Sequence, residues 1–296
     1  MAQDLAQDLT GRAPNALVGN SAPGGVIVVK IGGGSDPERV LDEVAELAAA
    51  GRPTVLVHGG GAVADRLSEQ LGVERQVIRS PDGTHSRRTD EAMLDVITLA
   101  LLGRVKPQLV SGLRLRGARA VGLSGADGAL LTATRKPALR SVQDGRTVLI
   151  RDDRSGRIEH VDPTPVRAVL DRGDVPVVSP PASDTAGNLL NVDADEAAAR
   201  LAAALCASAL VLLTDVCGVL ADPDDPSTRI AEVRPHHLTG DVVRGRMRHK
   251  VRAGLRASRT VQQVAIGSAH QHRPIQQALS GTGSWLREGE RGERHE

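Results

Sequence analysis

Along this chain, short β-branched runs alternate with longer stretches in which apolar residues recur every three or four positions. The first run, Val26-Ile-Val-Val29, leads straight into Lys30 and Gly32-Gly33-Gly34. Ser35 or Asp36 can cap the helix that follows, with Pro37 in its first turn. Val40, Leu41, Val44, Leu47 and Ala48 share one face of that helix, and Gly51 ends it. A second run, Thr54-Val-Leu-Val57, passes through His58-Gly-Gly-Gly61 into a helix carrying Val63, Leu67 and Leu71. Strand, glycine turn and helix, repeated in succession, predict a parallel sheet with right-handed crossovers.

The rest of the chain extends the alternation. Pro81-Asp-Gly83 marks a turn, and helices are predicted over 90–102 and 107–116. Proline lacks the amide hydrogen a helix interior needs, so the second of these helices is expected to start at Pro107 rather than run through it. A strand over 118–123 ends at Ser124-Gly125. Residues 126–161 read as a meander of short antiparallel pieces turning at Asp144-Gly145 and Ser155-Gly156. Then come a helix near 163–172, a strand over 175–178, a helix over 193–207 and a strand over 210–213 ending at Thr214-Asp215. A helix over 245–257, a strand over 261–266, a last helix and the segment 281–286 complete the pattern. Residues 1–24 show no sustained period and read as a mobile arm, and 288–296 as a disordered charged tail. Between them two lobes are expected, 25–180 and 181–287.

Composition sharpens this picture. The chain has 296 residues, 40% of them hydrophobic, yet no Phe, no Tyr and one Trp. Val, Leu, Ile and Ala must therefore fill the core, which suits parallel strands covered on both faces. A formal charge of +1 supplies no global field toward nucleic acid or membrane. No apolar run reaches the ~18 residues that cross a bilayer, and the N-terminus lacks a basic-then-apolar signal pattern; a cytoplasmic location is expected. Cys206 and Cys217 fit neither a disulfide framework nor a metal-binding spacing and read as small buried hydrophobes. Of 37 basic residues only Lys30, Lys106, Lys136 and Lys250 are lysines. Each therefore raises the question of what a compact ammonium does there that a planar guanidinium could not.

Glycine turns at two consecutive strand ends offer backbone N–H groups to an anion and would face one crevice. Neither turn fits the Walker A pattern or the GxGxxG fingerprint, which argues against a dinucleotide. Asn191-Val-Asp-Ala-Asp195 can be a helix cap with an acidic first turn, and Thr214-Asp215 an ordinary strand-end loop. It is the order of motifs that is specific: Val-Val-Lys30-Ile-Gly32-Gly33, His58-Gly59-Gly60-Gly61, Arg87-Arg88-Thr89-Asp90, Gly122-Leu-Ser124-Gly-Ala-Asp127-Gly128, Asn191-Val-Asp-Ala-Asp195, Thr214-Asp215-Val-Cys-Gly218-Val and Gly245-Arg-Met-Arg-His-Lys250. Over about 26–287 this series resembles the acetylglutamate kinase branch of the amino acid kinase family. The Gly-Arg-Met-x-x-Lys helix start and Ser179-Pro180-Pro181-Ala182 resemble most the kinases that act on aminoadipate or glutamate carried by LysW-type amino-group carrier proteins.

The resemblance implies a three-layer α/β/α sandwich around a mainly parallel sheet, an acceptor lobe over 25–180 and an ATP lobe over 181–287. It implies ATP with Mg²⁺ on its phosphates, and an acyl phosphate as product. Lys30 and Lys250 would hold the transferring phosphoryl oxygens, with Asp195 fixing both ammonium groups. Gly32, Gly33, Gly60 and Gly61 would donate backbone N–H groups to phosphate. Arg87 would grip the acceptor's α-carboxylate, Asn191 would bind the acceptor, and Thr214 and Asp215 would contact the nucleotide. Arg88 stands where the family has an apolar residue, which leaves two arginines side by side. A homodimer through the acceptor lobe is also implied.

At ~100° per residue, Arg244, Arg248, Arg252, Arg256 and Arg259 fall on about one third of a helix circumference. This is either a solvated face or a dock for an acidic carrier. Arg246 and Lys250 point elsewhere, toward the expected site. Free N-acetylglutamate is an alternative acceptor, and a non-catalytic nucleotide or amino-acid sensor is the reading of another class. Retention of Lys30, Asp195 and Lys250 together argues against the sensor.

Overall fold

The computed structural model describes residues 25–32, 36–80, 85–143, 145–239 and 242–289. Expectations for 1–24, for Gly33, Gly34 and Ser35, for the Pro81-Asp-Gly83 turn, for Asp144 and for the end of the charged tail lie outside these residues. In chain order the elements are β1 (Ile27–Ile31), α1 (Glu38–Ala49), β2 (Thr54–His58), α2 (Gly61–Leu71), β3 (Val77–Arg79), β4 (His85–Arg87), α3 (Glu91–Thr98), a π-helical stretch (Leu99–Val105), α4 (Lys106–Leu115) and β5 (Ala120–Ser124). There follow β6 (Leu131–Arg135), β7 (Leu139–Gln143), β8 (Arg146–Ile150), β9 (Gly156–Val161), α5 (Thr164–Leu170), β10 (Val175–Ser179), β11 (Ala182–Ser183), β12 (Leu189–Leu190) and α6 (Ala194–Ala204). The last are β13 (Ala209–Thr214), β14 (Glu232–Val233), α7 (His236–Thr239), α8 (Gly245–Ala257), β15 (Gln263–Ser268), α9 (Pro274–Leu279) and β16 (Ser284–Leu286).

One eight-stranded sheet runs in the order β14-β16-β15-β13-β1-β2-β10-β5. From β15 to β5 every pairing is parallel; β16 pairs antiparallel with β15, and β14 runs parallel to β16. β1, β2 and β10 are buried at every residue, as strands covered on both faces must be. Alternate strand residues feed two cores. Val28, Val55, Val57 and Leu210 pack with α5, α6 and α8; Val29, Leu56, Val177 and Val211 pack with α1, α4 and α9. The result is a three-layer α/β/α sandwich whose aliphatic side chains do the work aromatics do elsewhere. The expected meander is real: β6 pairs with β9 and β7 with β8, both antiparallel. Ser155-Gly156, expected as a turn, instead opens β9.

Two expectations fail for physical reasons. The helix does not restart at Pro107. It runs unbroken from Glu91 to Leu115, because the π-helical stretch shifts its ladder, with Lys106 N–H reaching the Leu101 carbonyl. Pro107 then falls in the first turn of α4, where no amide hydrogen is required. This helix of 25 residues is long and apolar enough to cross a bilayer by length and composition, yet Met93, Val96, Ile97, Ala100 and Leu101 form a core with α2. Neither cysteine is fully buried. Cys206 is exposed just past α6, at φ 52°, and Cys217 is half-buried.

Candidate active site

β1 lies between β13 and β2, so the chain leaves it on one side and returns on the other; in open α/β sheets such a switch point opens the ligand crevice. Lys30, next to last in β1, is paired with Val57 on one side and Leu212 on the other. Its side chain emerges on the face covered by α6 and α8. Asp193 caps α6, its carboxylate accepting the Glu196 N–H at 2.9 Å. Asp195 sits in the first turn, where the helix dipole favours negative charge. α8 packs against α6 and brings Lys250 to the same point.

Lys30 Nζ and Lys250 Nζ each lie 2.8 Å from one atom, Asp195 Oδ1. All three residues are buried. Burial taken alone would push the Asp195 carboxyl up, but the ammonium groups of Lys250 and Lys30 outweigh it and hold it down to about 2. Burial likewise pushes the Lys250 ammonium below its ordinary value; Asp195 opposes this and Lys30 adds to it. Two cations share one carboxylate oxygen here, and the Asp193 carboxylate is near enough to interact with both of them.

Gly32 follows β1 and is half-buried; Gly33 lies outside the described residues. The second turn is tied to β1 by Gly59 N–H donating to the Ile31 carbonyl at 3.0 Å. Gly60 is the N-cap of α2 and Gly61 its first residue, so their amides stand at a helix N-terminus. A Cβ on Gly60 would collide with the tip of the Leu101 side chain in the π-helical stretch, which would have to move to admit it.

His58, at the end of β2, is wholly buried. Its Nδ1 lies 3.0 Å from the Gly59 carbonyl oxygen and its Nε2 lies 2.7 Å from Ser179 Oγ. A carbonyl can only accept, so Nδ1 carries the proton and Nε2 accepts from the Ser179 hydroxyl. Burial lowers the imidazole to about 4; the Gly59 carbonyl opposes this, and the charges of Lys106 and Lys30 assist it. The ring is neutral at pH 7. Lys106, half-buried at the start of α4, lays its alkyl stem over Gly122 of β5, where a Cβ would come within 2.9 Å of Lys106 Cδ.

The two adjacent arginines part company. Arg87 Nη2 donates to Asp65 Oδ1 at 2.5 Å and to the Gly61 carbonyl at 3.1 Å, so it lies against the second glycine turn; its buried Nε, like that of Arg88, has no partner among the described residues. Arg88 turns to Gln76 and Asp152. Asn191 Nδ2 donates to Thr89 Oγ1 at 3.1 Å, and the Thr89 amide donates to buried Asp153 at 2.8 Å. Thr214 ends β13 on the other side of β1, its carbonyl accepting from the Ala269 N–H at 2.8 Å. The exposed Asp215 carboxylate lies 3.5 Å from His270 Nε2.

Lys30, Asp195 and Lys250 thus form one cluster. Gly60, Gly61 and Arg87 meet on the β2 side, with Asn191 bonded to the Arg87–Asp90 segment, and Thr214 and Asp215 stand on the β13 side. Sequence reasoning named His58, Thr89 and Ser179 within motifs and Lys106 as a rare lysine but gave none of them a role, and it did not name Asp65 or Asp153. The rarity of lysine was the one available signal, and it pointed at Lys106. On α8 the arginine face is partly committed. Arg256 pairs with Glu196, Arg259 with Glu288, and Arg248 is only half-exposed; Arg252 is exposed, as is Arg246.

A family model described as the amino acid kinase family matches residues 25–268. The [LysW]-aminoadipate kinase of Deinococcus radiodurans is 38% identical over 264 residues, covering 88% of this chain and 90% of its own. The acetylglutamate kinase of Archaeoglobus fulgidus is 38% identical over 240 residues, covering 78% of this chain and 81% of its own. Among solved structures, smu.665 from Streptococcus mutans superposes with a TM-score of 0.70 at 23% identity, over 89% of this chain and 99% of that one. Sequence, fold and the order of strands around Lys30 agree: the chain belongs to the amino acid kinase family.

Proposed function

We propose that this chain is an ATP-dependent kinase that phosphorylates the side-chain carboxylate of an N-blocked acidic amino acid, with carrier-bound 2-aminoadipate or glutamate as its acceptor. The observation that carries this is the pair of buried ammonium groups on one carboxylate oxygen. In the reaction an acceptor carboxylate oxygen forms a bond to the γ-phosphorus, the bond from that phosphorus to the β,γ-bridging oxygen breaks, and ADP departs. The acceptor is already ionised at neutral pH, so no general base is needed. What is needed is compensation of charge on the phosphoryl oxygens while two anions approach. Lys30 and Lys250 supply it as compact charges, and Asp195 holds both in place before substrate arrives. Gly60 and Gly61 offer amides to phosphate. Arg87, beside the second glycine turn, offers its guanidinium to the α-carboxylate. Mg²⁺ would enter on the phosphates of ATP, as part of the substrate.

Free N-acetylglutamate is a second acceptor to be weighed, because the acetylglutamate kinase of A. fulgidus is as similar, at 38% identity, as the aminoadipate kinase of D. radiodurans. The basic face of α8, which contains no acidic residue, favours a carrier through Arg252 and its neighbours. Hydroxylamine trapping separates the readings. ATP is offered with free N-acetylglutamate, with N-acetyl-2-aminoadipate and with carrier-linked acceptor, side by side. Hydroxamate chiefly from the carrier-linked acceptor supports the proposal, and chiefly from free N-acetylglutamate replaces it with the second. None from any acceptor sinks both.

A further inference from the structure

The mechanism above leaves one buried titratable side chain at the strand ends without a role. His58 is wholly buried, lies directly before the second glycine turn, and is hydrogen-bonded through both ring nitrogens. We infer that His58 is a positioning residue: its Nδ1–H clamps the Gly59 carbonyl and so aims the Gly60 N–H into the crevice, at the transferring phosphoryl group.

The argument rests on peptide geometry. Among the described residues there is no cis peptide, so in the Gly59–Gly60 unit the C=O and N–H point in opposite directions. His58 Nδ1, 3.0 Å from the Gly59 oxygen, draws that carbonyl down toward the sheet. The Gly60 N–H is thereby turned away from the sheet, and no acceptor for it is found among the described residues. Two other contacts prevent the unit from rotating back. Gly59's own N–H is held by the Ile31 carbonyl at 3.0 Å, and Gly60 is packed so closely on Leu101 that a Cβ would collide with it. The ring is itself fixed. The Gly59 carbonyl can only accept, so Nδ1 is the protonated nitrogen of a neutral imidazole, and Ser179 Oγ, 2.7 Å away, donates to Nε2 and holds the ring in place. Ser179 ends β10, the strand beside β2, so the clamp is built across two strand ends of the rigid sheet. A preoriented donor costs no reorganisation when charge develops, and one such donor is typically worth about 100-fold or more in kcat.

This inference rests on the kinase reading for its rate measurement, but not for its spectroscopic one. Wild type, His58→Leu, His58→Asn and Ser179→Ala would be compared for kcat, for KM of ATP, and for the NMR shift of the Gly60 amide on adding Mg²⁺ and the unreactive ATP analogue AMP-PNP. Asparagine can place its amide near the position of Nδ1–H, and leucine cannot. In wild type the Gly60 amide should move downfield with AMP-PNP. In His58→Leu that shift should be lost, and kcat should fall by about 100-fold with KM for ATP changed much less. His58→Asn should recover about tenfold of the loss, a rescue that a merely space-filling role would not give. Equal Gly60 shifts in wild type and His58→Leu, or no advantage of Asn over Leu, would overturn the clamp. Should His58→Leu fail to fold, Ser179→Ala decides the matter: a kcat drop of about tenfold with unchanged ATP affinity supports the clamp, and unchanged kcat removes it. If wild type forms no acyl phosphate from any acceptor, the kinase reading falls while the Gly60 shift still tests the clamp.

Discussion

Asp195 holds two ammonium groups on a single oxygen, so its charge, more than its volume, is what the site requires. Replacing it with Asn should cut kcat by about 100-fold or more while ATP affinity changes less, because the carboxylate orients cations and need not touch the nucleotide. Steady-state kinetics with calorimetric ATP binding checks this, and full activity would reduce Asp195 to a helix-start residue. A pH prediction follows from the same group. Its carboxyl is held at about 2 in the folded chain, below the ~4 of an unfolded aspartate. Its contribution is therefore present above pH ~4, on the order of 2 kcal/mol, and is lost as pH falls through about 2. The stability gap between wild type and Asp195→Asn should be flat from pH 7 to 5 and narrow below 4; a constant gap would contradict the ion cluster. Lys30, Asp195 and Lys250 could be named from the sequence because their motifs resemble the family's in order, and the rarity of lysine here drew notice to two of the three. His58's ring was not, because its meaning depends on Ser179, 121 residues away, and on the orientation of one peptide.

At the scale of elements, the helix from Glu91 to Leu115 shows what pattern alone misses. Pro107 read as a break, and only the shifted ladder reveals that the chain continues and seats Lys106 over Gly122. A second device, also unreadable from spacing, joins α1 to α9. Buried Glu43 on α1 accepts the Ile275 and Gln276 amides at 2.7 and 2.8 Å, capping α9 from another helix. Glu43→Ala would leave two amide donors in the core without partners and should destabilise the fold by about 2–4 kcal/mol in urea denaturation; a loss under about 0.5 kcal/mol would show that water replaces the carboxylate. The five-arginine stripe over 244–259, of which α8 itself carries Arg248, Arg252 and Arg256, was legible as a pattern, but its ion pairs to Glu196 and Glu288 were not. The electrostatic test therefore belongs at Arg252. Arg252→Glu should raise KM for a carrier-linked acceptor severalfold at low salt, spare kcat, and leave a free acceptor unaffected, with the difference shrinking as salt is added. Equal losses for both acceptors would mean that α8 acts on the site itself.

Across the whole molecule, one continuous sheet positions chemistry supplied by both halves of the chain. β1, β2, β10 and β5 come from 25–180 and β13, β15, β16 and β14 from 181–287, and the two sets join at the β1–β13 pair. Lys30 comes from the first set, while Asp195 and Lys250 ride on helices from the second. The alternation of strands and helices made this parallel architecture legible, since each repeat leaves its glycine turn at the same edge. The approach of α6 and α8 to Lys30 was not legible, because helix packing across a sheet has no period in the sequence. The account stands on that approach. Its most direct test is the single-turnover yield of hydroxylamine-trapped acyl phosphate from wild type, Lys30→Ala and Lys250→Ala, each saturated with ATP and the best acceptor. Wild type should trap about one equivalent, and both variants, folded and still binding ATP, should trap less than about 1% in the same time, since each lacks a cation that the transition state requires. Near-normal yield from either variant would contradict the paired-lysine mechanism.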